Sequence, residues 1–273
     1  MNRRKKLVCA LSGCLLSVLI FAGCPAAFSQ ASPATSLKPQ NQTEASAVDR
    51  LTPYQKSQLD RILNDWPYLA KYRDADKELG PPAPEEARVV FMGDSITEGW
   101  GSPGRGEFFP GKPYVNRGIS GQTTPQMLVR FRQDVIDLKP KVVVLLAGTN
   151  DIAENTGKTS LEAIEDNIAS MSELARANGI RVALCSVLPA SDFSWRPGLM
   201  PAPKIKALNA WIQEYAAKNG FVYVDYYSSM VNGQGGLKAE LSPDGVHPNK
   251  AGYEIMAPLA ETGIAEALKK PLP

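Results

Sequence analysis

The chain has 273 residues, of which 44% are apolar and 21% charged, so it can bury the core of one large α/β domain. Its formal net charge is +2, and four of the positive charges lie at residues 3–6. Without these four, the 30 basic groups fall to 26 against 28 acidic groups, which excludes the strongly basic surface of a nucleic-acid-binding protein.

Residues 1–29 have the pattern of an export signal. The four basic residues precede an apolar run that extends over residues 7–23, and no basic stop-transfer cluster follows it, which favours a cleaved signal over a spanning helix. Two modes of cleavage stay open. Phe21-Ala22-Gly23-Cys24 resembles a lipoprotein box that attaches a lipid to Cys24, and ordinary small-x-small sites follow a few residues later. We expect a periplasmic or secreted protein, with a membrane anchor if Cys24 is lipidated.

Two segments separate the signal from the main domain. Residues 30–50 are rich in Ser, Ala, Gln, Thr and Pro, and this composition predicts a flexible linker. Residues 51–85 form a helical extension, whose first helix begins with Thr52 as N-cap, Pro53 in the first turn and Gln55 as capping partner. Its apolar residues share one face, which we expect to pack against the domain. These residues are Leu51, Leu59, Ile62, Leu63 and Trp66.

From residue 86 to 273, strand-like and helix-like stretches alternate. Continuous apolar runs predict strands at Val89–Met92, around Tyr114–Asn116, and at Val142–Ala147, Val182–Val187 and Val222–Asp225. Helices are predicted after Thr124-Pro125, after Thr159 with Glu162 as its capping partner, around Ile205–Tyr215 and after Asn249. The pattern predicts a three-layer α/β/α domain with a mostly parallel five-stranded sheet.

Cysteine usage gives this domain no internal disulfide. Cys9 and Cys14 leave with the signal, and the domain keeps only Cys185, which lies in a predicted strand and is interpreted as a core residue.

A serine follows the first predicted strand, in Gly93-Asp94-Ser95-Ile96-Thr97. The carboxyl ends of strands in an open α/β sheet are where ligands bind, so a nucleophile is well placed there. The Gly-x-Ser-x-Gly elbow is absent, because Thr97 stands at its second glycine. By itself the serine fits a helix N-cap as well as a catalyst.

The chain contains one histidine, His247, and Asp244 lies three residues before it. A serine nucleophile needs a positioned general base, and a carboxylate can fix the tautomer of that base. A structural histidine is the alternative interpretation. Two further stretches follow predicted strands: Gly118 could offer an uncrowded N–H to a developing oxyanion, and Asn150 a side-chain amide. Chain turns or helix caps explain each of them equally well when taken singly.

Together these four stretches resemble the conserved blocks of the SGNH, or GDSL, hydrolase family, over Arg88 to about Leu268. The resemblance implies a flavodoxin-like α/β/α fold and an acyl-enzyme mechanism. It assigns Ser95 as nucleophile, His247 as base and Asp244 as the acid that orients it. The oxyanion hole then consists of the Ser95 N–H, Gly118 and Asn150. Ile96 stands where the family's name has leucine, outside the chemical positions.

The resemblance implies no metal and no cofactor, and a chain with one histidine and no ligand-spaced Cys or Asp cluster lacks the residues of a metal site. Phe193, Trp195 and Arg196 follow the fourth predicted strand and are candidates for the substrate pocket, although an ordinary packed loop fits as well. Trp100, Phe108 and Phe109 are further candidates. No long lid is evident, so we expect an open site for small acyl groups.

The middle of the chain also resembles bacterial relatives of the platelet-activating-factor acetylhydrolase subunits. We expect an exported esterase that acts on short-chain, mainly acetyl, esters of small molecules or carbohydrates. A lysophospholipase, a thioesterase, an acyltransferase and a non-catalytic carbohydrate-binding protein of the same fold are the alternatives. The sequence does not give the oligomeric state.

Overall fold

The computed structural model describes residues 51–271, apart from the side chains of Tyr54, Gln55 and Gln58. The predicted signal, its cleavage sites, Cys24 and the linker over residues 30–50 lie outside these residues. Within residues 51–271, no helix combines the length and the apolar character needed to cross a membrane.

The described chain contains five strands. In chain order they are β1 (Val89–Gly93), β2 (Tyr114–Gly118), β3 (Val142–Leu145), β4 (Arg181–Cys185) and β5 (Val222–Val224). They form one sheet in the order β2-β1-β3-β4-β5, and every neighbouring pair is parallel. This is the flavodoxin-like order, in which the chain leaves β1 on one side and returns on the other. The crevice between the carboxyl ends of β1 and β3 is therefore the expected ligand site.

Helices connect the strands and precede them. In chain order they are α1 (Pro53–Asn64), α2 (Arg73–Leu79), α3 (Ser95–Glu98), α4 (Thr124–Phe131), α5 (Thr149–Ile152), α6 (Leu161–Ala177), α7 (Ala202–Asn219), α8 (Tyr227–Met230) and α9 (Lys250–Lys269). A π-helical turn at Arg132–Ile136 continues α4, and a 3₁₀ turn at Ala239–Leu241 precedes α9.

Both faces of the sheet are buried, which explains why the strands are continuous apolar runs. Alternate residues of β1 belong to different core clusters: Val90 and Met92 pack with α4, α6 and α7, whereas Val89 and Phe91 pack with α9. Cys185 at the end of β4 is buried, and that burial raises the pKa of its thiol to about 12. The three-layer α/β/α prediction is confirmed, and the sheet is parallel throughout the described residues.

The helix caps were predicted to within about one residue. Thr123 caps α4 in a capping box with Gln126. The N-cap of α6 is Ser160, whose Oγ accepts a hydrogen bond from the Ala163 N–H at 3.2 Å, so the predicted cap at Thr159 is wrong by one position. The three-residue spacing to Glu162 pointed to Thr159, but Ser160 supplies the same hydroxyl acceptor and the helix begins after it.

The N-terminal extension contacts the domain differently from the prediction. The apolar face of α1 is largely exposed, since Leu63 is 72% exposed and Ile62 50%. The predicted packing of this face is therefore only partly confirmed: Ile62 and Trp66 line a groove with Gly121 and Gln126 of the domain, whereas Leu63 is exposed. In addition, backbone carbonyls after α1 accept hydrogen bonds from glutamine amides of the domain. These pairs are Gln126 Nε2 to Trp66 O at 2.8 Å, Gln122 Nε2 to Pro67 O at 2.6 Å and Gln133 Nε2 to Leu69 O at 2.6 Å. Polar anchors of this kind leave no hydrophobic periodicity in the sequence.

A buried arginine lies beneath the carboxyl ends of β1 and β2. Arg130 in α4 is fully buried and donates to the carbonyl oxygens of Gly93 at 3.0 Å and Arg117 at 2.8 Å. Its remaining bonds go to Asp134 Oδ2 at 2.8 Å and Gln122 Oε1 at 2.5 Å. A buried guanidinium is stable only when its charge and its donors are satisfied. Here Asp134 supplies the opposite charge, and the two strand-end carbonyls and Gln122 accept further N–H groups of the guanidinium. Arg130 thereby links the ends of β1 and β2.

Replacement of Arg130 by methionine should lower the free energy of unfolding by about 3–5 kcal/mol, because it leaves a buried carboxylate unpaired. Urea unfolding measures the loss. The double variant Arg130→Met/Asp134→Leu should recover part of it, since it removes the orphaned charge. Arg132→Met, at an exposed position of the next turn, should change stability by less than about 0.5 kcal/mol. Equal effects of Arg130→Met and Arg132→Met would contradict this account.

Candidate active site

The predicted serine and histidine meet above the carboxyl end of β1. Ser95 is the first residue of α3, which follows β1 after Asp94, and His247 lies in the loop before α9. The Ser95 Oγ and the His247 Nε2 are 2.9 Å apart, and the His247 Nδ1 is 2.7 Å from Asp244 Oδ2. The three side chains predicted as a triad therefore form one continuous hydrogen-bonded chain.

The charge state of Asp244 determines which way this chain of hydrogen bonds runs. Partial burial acts to raise the pKa of Asp244, but hydrogen bonds from the His247 N–H and ring and from the Val246 N–H outweigh it and lower the pKa to about 2. Asp244 is thus ionised at neutral pH and can only accept. The His247 Nδ1 must carry the proton, which leaves Nε2 free to accept the proton of Ser95.

A second aspartate, Asp94, immediately precedes Ser95 in the chain. Its Oδ1 accepts from the Ile96 N–H at 2.9 Å and so caps α3, and its Oδ2 accepts from Asn150 Nδ2 at 3.1 Å. The side chain is 1% exposed. Burial raises its pKa to about 6, although the Ile96 bond and the nearby His247 oppose the shift.

Gly118 does not have the geometry of an oxyanion donor, which corrects the prediction. Its N–H donates to Asn116 Oδ1 at 2.9 Å. A Cβ at this position would lie 2.1 Å from the Glu98 backbone nitrogen, so the glycine allows β2 and α3 to approach closely. The absence of a side chain at Gly118 therefore permits close packing of β2 against α3.

Gly121, three residues further along, has the properties that Gly118 lacks. It is exposed and adopts a φ of 78°, the left-handed region that favours glycine. Within residues 51–271 its N–H and the N–H of Ser95 donate to no other group. The preceding residue, Ser120, lines the same cleft as Ser95 and His247. The sequence signal for Gly121 was present, since it is the second glycine of Gly118-Ile119-Ser120-Gly121.

The Asn150 amide is already hydrogen-bonded. Its Nδ2 is 3.1 Å from both Asp94 Oδ2 and Gln122 O, and its Oδ1 accepts from Asn155 Nδ2 at 2.7 Å. To bind an oxyanion, this buried side chain would have to exchange one of the two 3.1 Å contacts. Its assignment as an oxyanion donor stays a prediction.

Glu98 connects α3 to the loop that contains Gly121. Its Oε2 accepts from the N–H of Ser120 at 2.7 Å and from the Ser120 hydroxyl, and its Oε1 pairs with Lys71 Nζ at 2.8 Å. Burial opposes ionisation of Glu98, but the bonds from Lys71 and Ser120 outweigh it and lower the pKa of the carboxyl. One carboxylate thus joins the nucleophile's helix, the Gly121 loop and the N-terminal extension.

The aromatic residues predicted for the substrate pocket divide into core and surface. Phe193 is fully buried in the core, so its assignment to the pocket is wrong. Trp195 is 41% exposed, its ring centroid is 6.1 Å from that of His247, and its Nε1 donates to Asn155 Oδ1 at 2.9 Å. Arg196 is exposed and donates to the Glu154 carbonyl at 3.2 Å. Of the three, Trp195 is the one beside His247.

The other aromatic candidates surround Phe91. Trp100 and Phe109 are buried, and Phe108 is half-buried. Their rings lie 5.9, 5.1 and 5.1 Å from the Phe91 ring for Trp100, Phe108 and Phe109 respectively. Their main role is to close the core on the α9 side of the sheet.

Ser95 and His247 open into a cleft of about 600 Å³. Its lining is polar: Ser95, Glu98, Gly99, Ser102, Arg105, Ser120, Asp244 and His247. The size suits a small ligand. Within the described residues, no three His, Cys, Asp or Glu side chains cluster in a way that could hold a metal ion.

Comparisons with known proteins show which family this chain resembles. Residues 91–255 match the model of the GDSL-like lipase/acylhydrolase family. The solved structure of a GDSL-like lipase from Bacteroides thetaiotaomicron VPI-5482 is 46% identical, with a TM-score of 0.71, and the match covers 74% of this chain and 100% of that one.

Two curated relatives match over shorter segments. An acetylxylan esterase from Xylanibacter ruminicola is 28% identical over 225 residues, which cover 69% of this chain and 45% of the relative. Lipoprotein YqeF from Bacillus subtilis strain 168 is 37% identical over 78 residues, which cover 28% of this chain and 32% of the relative. The chain spans between 32% and 60% of the length of the curated relatives it matches.

The raised pKa of Asp94 predicts a pH-dependent stability. Between pH 3.8, the ordinary value, and about 6, the folded protein holds a proton that the unfolded chain has lost, so stability falls as the pH rises through this range. Asp94→Asn keeps an acceptor for α3 and cannot titrate. The free energy of unfolding of the wild type minus that of the variant should fall by up to about 3 kcal/mol from pH 4 to 7. This is the shift from 3.8 to about 6 multiplied by about 1.4 kcal/mol per pKa unit. Urea unfolding at several pH values measures it, and a constant difference would contradict the shift.

Proposed function

Since the chain belongs to the GDSL-like lipase/acylhydrolase family, we propose that it is an exported serine esterase that removes short acyl groups, chiefly acetyl, from carbohydrate esters. The observation that carries the proposal is the hydrogen-bonded chain from Ser95 through His247 to Asp244, with distances of 2.9 and 2.7 Å. No other described serine bonds to the histidine.

The proposed reaction has two steps on the same three residues. As Ser95 Oγ attacks the ester carbonyl, its proton passes to His247 Nε2, and the ionised Asp244 stabilises the imidazolium. The imidazolium then gives this proton to the leaving alcohol oxygen as the C–O bond breaks, which leaves an acyl-enzyme on Ser95. Water repeats the sequence: it transfers a proton to His247, attacks the acyl carbon and releases the acid, and His247 returns the proton to Ser95.

The unpaired N–H groups of Ser95 and Gly121 are the proposed donors to the oxyanion. Both are backbone groups with no competing partner in the described residues, so they need no rearrangement before they bind a developing charge. Asn150 would add a third donor by exchanging one of its 3.1 Å bonds. A lost donor of this type costs about 10²–10³ in turnover.

Glu98 fixes the spacing between these two donors. Ser95 and Glu98 are the ends of one four-residue helix, and the Glu98 carboxylate binds the residue just before Gly121. Lys71 holds the other carboxylate oxygen, so the N-terminal extension contributes to the position of the oxyanion hole. We therefore regard Glu98 and Lys71 as positioning residues.

The shape and chemistry of the cleft support a small acyl group on a polar alcohol. The cleft is open and its lining is polar, whereas a long acyl chain needs an apolar channel. Trp195 presents an exposed aromatic ring beside His247, and its Nε1 is hydrogen-bonded to Asn155. An aromatic ring held in this way can pack against the apolar face of a sugar ring. The acetylxylan esterase among the relatives supports the same substrate class.

Export is supported by the sequence of residues 1–29 and by a lipoprotein among the relatives. A lipid on Cys24, if the lipoprotein box is used, would hold the enzyme at a membrane surface through the linker over residues 30–50.

Hydrolysis of 4-nitrophenyl acetate, butyrate and octanoate by the purified protein tests the reaction. We expect acetate to be the best substrate and the rate to fall by at least about 10³-fold in Ser95→Ala and in His247→Ala, because each removes a member of the triad. Ser102→Ala is the matched control, since Ser102 lines the same cleft but bonds to neither catalytic residue. Equal rates in wild type and Ser95→Ala would refute the mechanism, and a preference for octanoate would refute the acyl specificity.

Glu98→Gln should lower kcat by about 10- to 100-fold with little change in KM, because misplaced donors affect the transition state more than the bound ester. Lys71→Met should have a smaller effect in the same direction, and Glu98→Asp should restore part of the loss. Lys77→Met is the control, since Lys77 pairs only with the exposed Asp74 on the same extension. A change confined to KM, or an equal effect of Lys77→Met, would contradict the positioning role.

A further inference from the structure

The charged groups that face the active-site cleft are not all paired. Glu98 is neutralised by Lys71 at 2.8 Å, and Asp244 is bonded to His247 at 2.7 Å. Arg105 lines the same cleft and forms no ion pair within residues 51–271. Arg105 is therefore a cation of this cleft that has no direct salt-bridge partner among the described residues.

The half-buried guanidinium of Arg105 has a defined place. The backbone N–H of Arg105 donates to the Ser102 carbonyl at 2.9 Å, and this bond closes the turn from which the Arg105 side chain extends. A Cβ on Gly99 would lie 2.7 Å from Arg105 Nη1 and 3.1 Å from Tyr253 Oη, so the glycine leaves the room that the guanidinium occupies. Tyr253 is anchored in turn, because its hydroxyl donates to the Ile96 carbonyl at 2.7 Å.

This arrangement holds Arg105 against the helix of the nucleophile. Ile96 and Gly99 lie in α3 and at its C-terminal end, and Ser95 begins the same helix. The neutral Tyr253 hydroxyl accepts a hydrogen bond from the Arg105 side chain, which uses one of the guanidinium donors. Because a hydroxyl cannot compensate a full charge, the fork of donors on Arg105 is available to an anionic group brought by a ligand.

We propose that Arg105 binds a carboxylate of the substrate, so that the preferred ester is an O-acylated sugar acid such as an acetylated uronic acid. The inference rests on the proposed esterase function. A carboxylate matches a single guanidinium in charge and in bidentate geometry. The single charge of a carboxylate also meets less repulsion from Glu98 and Asp244, which line the same cleft, than the double charge of a phosphate would.

Two acetylated sugars that differ only in charge test the proposal. One is the methyl glycoside of O-acetylated glucuronic acid, and the other is its neutral methyl ester, with acetate release measured for both. The wild type should prefer the acid by about 10- to 100-fold in kcat/KM, as expected for hydrogen bonds to a charged group. Arg105→Gln should lower kcat/KM for the acid about 10- to 100-fold more than for the neutral ester and so abolish the preference, and Arg105→Lys should keep part of it.

Lys250→Gln is the matched control, because it removes the same charge from the adjoining cleft, where Lys250 pairs with Glu254. It should leave the preference unchanged. A wild type that treats both sugars alike, or an Arg105→Gln variant that slows both equally, would overturn the assignment and leave Arg105 as a structural residue. If the wild type releases acetate neither from the two sugars nor from 4-nitrophenyl acetate, the proposed function itself is refuted.

Discussion

The site depends on the buried guanidinium of Arg130. The carbonyl oxygens of Gly93 and Arg117, at the ends of β1 and β2, both accept from Arg130, and that of Gly93 also accepts from the Ile119 N–H at 3.0 Å. These residues immediately precede the nucleophile turn and Gly118. Because the guanidinium is rigid and its donors are fixed in a plane, it sets the relative position of the two strand ends. Arg130 thus supports the turn of Ser95 and the Gly121 loop from below, and Glu98 joins them through the Ser120 N–H.

The polar groups above Arg130 continue in layers towards the solvent. Gln122 links the guanidinium to the Pro67 carbonyl of the N-terminal extension. Asp94 and Asn150, both nearly fully buried, bond to each other under the serine. His247 is more accessible, with a side chain 23% exposed. A rigid buried network below and an accessible histidine above are what a preorganised but open site requires, since preorganisation reduces the reorganisation that a developing charge would otherwise demand.

Much of the fold, and the meeting of Ser95, His247 and Asp244, could be predicted because their signals are local or unique. Strands covered on both faces are continuous apolar runs, and the chain has a single histidine as candidate base. The wrong predictions concern residues whose role depends on which way a side chain or a backbone N–H points in the folded protein. The sequence does not tell whether a glycine serves close packing, as Gly118 does, or leaves a free N–H, as Gly121 does. Phe193 has the composition of a pocket residue but points into the core. The extension is held by glutamine amides and by Lys71, and neither has a periodic pattern.

The central claim is that the structure activates Ser95 through His247. Labelling of the intact protein with a fluorophosphonate tests it most directly, because the reagent bonds its phosphorus to an activated serine oxygen and releases fluoride. Mass spectrometry should show one adduct per chain, on the peptide that contains Ser95, and the labelling rate should fall sharply in His247→Ala. Labelling at another serine, or at an equal rate in His247→Ala, would contradict the account.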